Sequence, residues 1–147
     1  MPRAASAPRP SGALPHLLTD DDLAAACAAL YRSLEPDGRL LASIRDYDAE
    51  PQGDLPRLIG DRAIVQLWDW IDAERYFLRH LVMRHGPAGW AVTERRTRYR
   101  ALKRATLTAA LRSAGFAEVT WPQTGWYQPV VSARTSSRAT ATGRTPR

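Results

Sequence analysis

Apolar residues first recur at helical spacing between positions 23 and 34 of the chain. The stripe consists of Leu23, Ala26, Cys27, Leu30 and Leu34. Thr19 precedes this stripe, and Asp22 follows Thr19 by three residues, which fits a capping box and predicts a helix beginning near Thr19. Residues 35–38 have turn chemistry and end the helix. Residues 40–44 are continuously apolar and predict a strand covered on both faces, as in a parallel sheet.

Beyond a predicted loop over residues 49–61, the hydrophobic pattern changes to the two-residue period of β-strands. Three strand-like segments cover residues 63–70, 75–84 and 90–99. Their joins at 71–74 and 86–89 have hairpin length, so the block predicts an antiparallel meander.

A second apolar stripe predicts a helix over residues 104–114, with Gly115 at its C-terminal cap. The segments 116–121 and 127–133 are expected to be the last two strands. Helices that alternate with strands indicate an α/β fold, and ligands of open α/β sheets bind beyond the carboxyl ends of the strands.

Composition narrows the class of protein. The 147 residues are 44% hydrophobic and 24% charged, which is typical of a single globular domain. No apolar run approaches the roughly 18 residues of a membrane span, and no signal-peptide core is present, so we expect a cytoplasmic protein without membrane contact. Cys27 is the only cysteine, and His80 and His85 lack an acidic partner at ligand spacing, so no metal site is predicted.

The net charge of +6 lies mostly in the two ends of the chain. Residues 1–12 hold two arginines and residues 135–147 hold three, without any acid, which gives five of the six excess charges. Both ends are predicted to be disordered tails, and residues 13–134 to be the domain. Arg96, Arg98 and Arg100 share a strand face, which indicates either a phosphate patch for nucleic acid or, the better supported reading, a solvated sheet edge.

Four segments resemble a known family. Residues 30–41 (LYRSLEPDGRLL) look like the segment before the fifth strand of class I S-adenosylmethionine-dependent methyltransferases, and residues 107–119 resemble the closing pattern of the same family. Residues 11–17 (SGALPHL) and 44–48 (IRDYD) resemble segments of its glycine and sarcosine N-methyltransferase group. The resemblance implies the C-terminal half of a Rossmann-like methyltransferase sheet, with the antiparallel meander as an insertion.

The same resemblance assigns roles to individual residues. It implies S-adenosyl-L-methionine as the cofactor, with Leu14 and His16 beside its methionine end. It also implies a small-molecule methyl acceptor, an amino acid among the candidates, whose carboxylate Arg45 would clamp with two hydrogen bonds. For His16 a helix-entry histidine is the alternative, and for Arg45 an ion pair with Asp46 or Asp48.

Aromatic residues supply the remaining candidates for acceptor binding. Tyr47 matches an aromatic position of the family motif and is otherwise a rim residue. Trp68 and Tyr76 would wall the acceptor pocket or hold a methylammonium product, although ordinary sheet packing is the better supported interpretation of both residues. Tyr127 lies near the position where the family directs a tyrosine toward the acceptor.

One departure from the family pattern changes the expected activity. The 147 residues contain neither the glycine-rich loop after a first strand nor the acidic residue after a second strand that hold the cofactor in this family. We therefore expect an N-terminally truncated methyltransferase with little activity alone and no dedicated catalytic base. The alternatives are a non-catalytic binding or remnant module of the same fold and a small basic nucleic-acid-binding protein. Association into a homo-oligomer is left open.

Overall fold

The computed structural model describes residues 14–49 and 55–136, which form two compact units. The meander unit contains residues 14–18 and the chain from residue 55 to Ala101. The helix–strand unit contains the chain from Thr19 to residue 49 and from Leu102 to residue 136. The predicted tails lie outside the described residues, apart from positions 135 and 136. No helix in the described ranges has the length and hydropathy to cross a bilayer.

The meander unit is a four-stranded antiparallel sheet preceded by a short 3-10 helix at Leu14–His16. Its strands follow chain order and are β2 (Leu55–Ile59), β3 (Arg62–Trp70), β4 (Arg75–Gly86) and β5 (Gly89–Arg100). The predicted meander is confirmed, because β3, β4 and β5 pair across short connections.

Strand β2 was missing from the sequence prediction, which placed residues 49–61 in a loop. Residues 55–59 instead pair with β3 along its outer edge, so the loop prediction is wrong for this stretch. The stretch contains Pro56, and proline cannot donate a hydrogen bond to a ladder, which disfavours a strand in the interior of a sheet. At a sheet edge that missing donor costs nothing, which explains why Pro56 is tolerated here.

The helix–strand unit combines two helices with a three-stranded sheet. Its elements are β1 (Arg39–Ser43), β6 (Glu118–Thr120), β7 (Val130–Arg134), α1 (Asp20–Ser33) and α2 (Arg104–Ser113). The strand order is β1-β7-β6, and both pairings are antiparallel. Strand β1 is confirmed, but its predicted coverage on both faces is wrong because Leu41 is 63% exposed. Alternate residues of β1 face outward, so the apolar run overstated its burial.

Helix α1 begins as its sequence predicts. The Thr19 side chain accepts a hydrogen bond from the backbone N–H of Asp22 at 3.1 Å and donates one to the Asp22 carboxylate at 2.7 Å. Leu23 and Cys27 of the apolar stripe are buried, and Cys27 is fully inaccessible. Burial raises the pKa of the Cys27 thiol, so it is a packed core group and not an activated nucleophile.

Helix α2 ends in a Schellman motif centred on Gly115. The Gly115 N–H donates to the Arg112 carbonyl at 3.0 Å, and the Phe116 N–H donates to the Leu111 carbonyl at 3.2 Å. Gly115 has a φ of +111°, a backbone conformation that disfavours any residue with a Cβ. The predicted C-terminal cap is therefore confirmed.

Replacing Gly115 with Ala is expected to lower the free energy of unfolding by about 2 kcal/mol. The backbone strain comes with a steric one, because the new Cβ would lie 3.1 Å from Cζ of Tyr31. Gly125→Ala is the matched control, since Gly125 also has positive φ but no atom within 4 Å of an added Cβ. Urea titration compares the two variants, and equal losses would contradict a role for the Tyr31 contact.

Candidate functional site

The meander unit gathers aromatic rings on one face of its sheet, which we call the aromatic face (Trp68, Trp70, Tyr76 and Tyr99). Trp70 and Tyr76 are directly opposed on β3 and β4, with ring centroids 5.0 Å apart. Tyr76 stacks on Tyr99 of β5 at 5.7 Å. The pairing register places Trp68 on the same face, one row further along. Three strands thus contribute rings to one surface.

His16 lies against the end of the aromatic face. The 3-10 helix is closed by a hydrogen bond from the Leu17 N–H to the Leu14 carbonyl at 3.1 Å, and it holds the exposed His16 ring 4.6 Å from that of Tyr99. Leu14 is half-buried in the same turn. The structure therefore brings together four residues predicted to bind cofactor or acceptor. They are Leu14, His16, Trp68 and Tyr76.

These candidate residues differ in accessibility. Tyr76 is only 1% exposed, whereas Trp68 is half-buried and Trp70 is 43% exposed. A ring as buried as that of Tyr76 contributes mainly to packing, which favours the sheet-packing interpretation for this residue. Trp70, Trp68 and the half-buried Tyr99 are the members of the face with accessible surface.

A polar pair continues the aromatic face beyond Trp68. Gln66 and His80 are directly opposed, and their side-chain Nε2 atoms are 2.6 Å apart. A hydrogen bond at one ring nitrogen fixes which tautomer the imidazole adopts, so Gln66 orients His80. The sequence suggested His80 only as a metal ligand together with His85, a role that their spacing disfavoured. An odd separation along β4 puts those two rings on opposite faces of the sheet.

The helix–strand unit holds the segment that follows β1 with an arginine from α2. The Arg104 guanidinium donates to the Asp46 carboxylate at 2.7 Å, and Asp48 accepts the Arg104 backbone N–H at 3.2 Å. The other Asp46 oxygen accepts the backbone N–H of Asp48 at 3.2 Å and that of Ala49 at 3.3 Å. Lys103, at the N-cap of α2, makes no capping bond with its side chain, so Asp48 caps this helix from 56 residues away.

Replacing Asp48 with Ala is expected to lower the free energy of unfolding by about 1 kcal/mol, because the first turn of α2 loses its acceptor. Asp48→Asn keeps a side-chain oxygen that can accept the Arg104 N–H and should recover most of the loss. Thermal or urea unfolding of the three proteins measures the difference. Equal destabilisation by Ala and Asn would show that the charge at Asp48, and not helix capping, carries the effect.

The other predicted acceptor residues also lie in the helix–strand unit. Arg45 and Tyr47 follow β1 directly and are half-buried, on either side of Asp46. Tyr127 is 84% exposed in the segment between β6 and β7. Their predicted roles in acceptor binding remain predictions.

The arginines of β5 that were candidates for nucleic-acid binding have partners within the protein. The Arg96 guanidinium lies over the Phe77 ring, 3.6 Å from its centroid. Arg100 is buried, with its Nη2 3.4 Å from the Glu74 carboxylate. Arg98 is exposed between them. Since two of the three side chains are occupied, they do not form an open phosphate patch.

Comparison with solved structures identifies the fold. The amino pentose methyltransferase from Micromonospora echinaspora, solved with bound S-adenosylmethionine, matches 84% of this chain with a TM-score of 0.67 and 18% identity. The sugar N-methyltransferase from Streptoalloteichus matches 86% with a TM-score of 0.64 and 15% identity. An S-adenosylmethionine-dependent methyltransferase from Clostridium acetobutylicum matches 85% with a TM-score of 0.66 and 11% identity.

The chain thus has the fold of S-adenosylmethionine-dependent methyltransferases, as its sequence motifs predicted. It spans 53–55% of the length of the three proteins. No protein-family model and no curated protein sequence matches it. These structures do not specifically support the narrower resemblance to glycine and sarcosine N-methyltransferases. Two of the three are described as methyltransferases of sugars.

Proposed function

We propose that this chain forms the acceptor-binding part of an S-adenosylmethionine-dependent methyltransferase that acts on a small-molecule amine. The match of 84–86% of its residues to methyltransferase structures carries this proposal. The aromatic face and His16 supply the surface on which the reacting amine would lie. For Arg45, Tyr47 and Tyr127, which lie in the helix–strand unit, a role in acceptor binding is proposed separately, on the family resemblance of their positions.

The described residues fit one end of the cofactor. Leu14 offers an apolar contact and His16 an imidazole beside it, whereas neither the 3-10 helix nor the adjoining row of rings carries a carboxylate for ribose hydroxyls. When bound, S-adenosylmethionine supplies an activated methyl group on its sulfonium. The chain's residues align the acceptor and exclude water, which are the main protein contributions to such a transfer.

The rings that remain accessible suit a basic amine. Trp70 can hold the methylammonium product over its face by a cation–π contact, and Trp68 provides an apolar wall for the neutral amine before transfer. The resemblance to glycine and sarcosine N-methyltransferases supports an amino acid as the acceptor, and the solved sugar N-methyltransferases support an amino sugar. Both acceptors share the nitrogen nucleophile that the proposal requires.

Titration with S-adenosylhomocysteine, followed by the ring resonances of histidine, tests the proposal. We expect the His16 signals to shift, because His16 is assigned to the homocysteine end of the ligand, while the exposed His85 on the opposite sheet face stays unchanged. Adenosine lacks the homocysteine group and should not shift the His16 resonances. An unmoved His16 at saturating ligand, or equal shifts of His16 and His85, would contradict the proposal.

Binding of glycine, sarcosine and glucosamine in the presence of S-adenosylhomocysteine, measured by calorimetry, distinguishes the acceptor classes. Ligand binding at His16 without binding of any amine would favour a non-catalytic module of the same fold.

A further inference from the structure

The face of the sheet that carries the aromatic rings also carries four arginines, and none of its strand positions is acidic. Opposed residues of an antiparallel pair share a face, so the register extends this face past Gln66 and His80 to the far end of the sheet. Each of the four strands contributes one arginine to it. They are Arg57, Arg62, Arg84 and Arg95. No strand position on this face is Asp or Glu.

On the opposite face, most arginines have a partner within the protein. Arg79 donates one hydrogen bond from Nη2 to the Asp69 carboxylate at 3.1 Å, and its Nε forms an ion pair with the other Asp69 oxygen at 2.6 Å. Arg75 and Arg100 contact Asp72 at 2.7 Å and Glu74 at 3.4 Å. With Arg96 over Phe77, four of the five arginines on that face have a partner inside the protein, and only Arg98 has none recorded among the described residues.

Arg62 and Arg84 are directly opposed on β3 and β4, and Arg57 lies on the diagonal from Arg62. The nearest carboxylate recorded in the described part of the chain is Asp61 in the turn, 3.8 Å from the Arg62 Nε. Like charges directly opposite each other destabilise an antiparallel pair. Three exposed guanidinium groups in this arrangement would be offset by one bound multivalent anion, and Arg presents paired donors that match phosphate oxygens.

We propose that Arg57, Arg62 and Arg84 bind a phosphate group of a small-molecule ligand, and that Arg95 guides it toward His80. The site is continuous with the aromatic face, since Arg84 lies four residues, or about 13 Å, from His80 along β4. The identification of this ligand as the methyl acceptor rests on the proposed function. The acceptor is then an elongated amine that carries phosphate at the end opposite its reacting nitrogen.

Binding of inorganic pyrophosphate to the full 147-residue chain tests the site by calorimetry at low salt. The double variant Arg62→Ala/Arg84→Ala is expected to weaken binding at least tenfold. Arg98→Ala/Arg112→Ala removes the same charge from exposed positions off this face and is expected to change binding less than threefold. Without pyrophosphate, the Arg62/Arg84 variant should melt at the same or a higher temperature, because a like-charge pair is removed. Pyrophosphate should raise the melting temperature of the wild type alone.

Two further ligands identify the source of the phosphate. A linear amine that carries phosphate about 25 Å from its nitrogen, the distance from Arg62 to Trp70 along β3, should bind at least tenfold more tightly than inorganic phosphate, and the same amine without phosphate should be weaker still. Equal losses in both double variants would overturn the proposal in favour of general charge attraction. A short RNA that binds at Arg62 and Arg84 more tightly than any of the small molecules would overturn it in favour of nucleic acid. If pyrophosphate binds at these arginines but the His16 resonances do not shift in the S-adenosylhomocysteine titration, the phosphate site is supported and the proposed function is rejected.

Discussion

Replacing Tyr76 with Ala is expected to remove about 3–5 kcal/mol from the free energy of unfolding, as for large aromatic residues deleted from cores. Tyr76 is 1% exposed, and its ring contacts those of Trp70 at 5.0 Å and Tyr99 at 5.7 Å. The deletion leaves a cavity between β3 and β5 and frees both neighbouring rings. Urea unfolding, monitored by circular dichroism, measures the loss.

Two comparison variants separate ring packing from other effects. Tyr76→Phe keeps the ring, so we expect it to lose less than about 1.5 kcal/mol. Trp90→Ala deletes a ring that is 56% exposed on the opposite face of the same sheet, and should cost less than about 1 kcal/mol. If Tyr76→Ala were as mild as Trp90→Ala, Tyr76 would not be part of the core, and its role as an acceptor-binding wall would gain support.

The 147-residue chain is expected to bind S-adenosylmethionine only at millimolar concentration and to transfer little or no methyl group. The residues proposed to hold the cofactor, Leu14 and His16, are assigned to one end of it, and the matched methyltransferases are nearly twice as long as this chain. Loss of the remaining contacts from a micromolar site weakens binding about a thousandfold, or ~4 kcal/mol. Calorimetry gives the dissociation constant, and release of label from methyl-labelled cofactor gives the turnover.

His16→Ala should abolish the residual cofactor binding, whereas Trp90→Ala should leave it intact. Micromolar affinity or sustained turnover by the purified chain would show that the expectation is wrong. In that case residues 1–12, or a second copy of the chain, would have to complete the cofactor site.

Local sequence signals predicted the elements of the fold well. Thr19 begins α1, Gly115 ends α2, and the alternation of residues 63–99 gave the three paired strands. These signals work because capping, positive φ and strand alternation act within a few residues. Strand β2 was not predicted because Pro56 is acceptable in a strand only at a sheet edge. Edge position is a property of the assembled sheet and cannot be read from the local sequence.

The candidate site was partly predictable for the same reason. His16, Trp68 and Tyr76 were selected before the structure brought them to one face. The Gln66–His80 contact depends on the exact pairing register, which a hairpin of uncertain length does not determine. Arg104 was predicted to lie at the start of the second helix, but its contacts with Asp46 and Asp48 join positions more than 50 residues apart. No local pattern carries such information.

Because Cys27 is fully buried, the reaction rate of its thiol reports how often the surrounding structure opens. Cys27 is the only thiol in the sequence and has no accessible surface, so a disulfide reagent reacts only while α1 is detached. When closing outpaces labelling, the ratio of the native labelling rate to that of the unfolded chain equals the fraction of time the helix is open. One unmodified cysteine thus reports the opening equilibrium of the helix–strand unit in solution, under any condition or in any variant, without an introduced label.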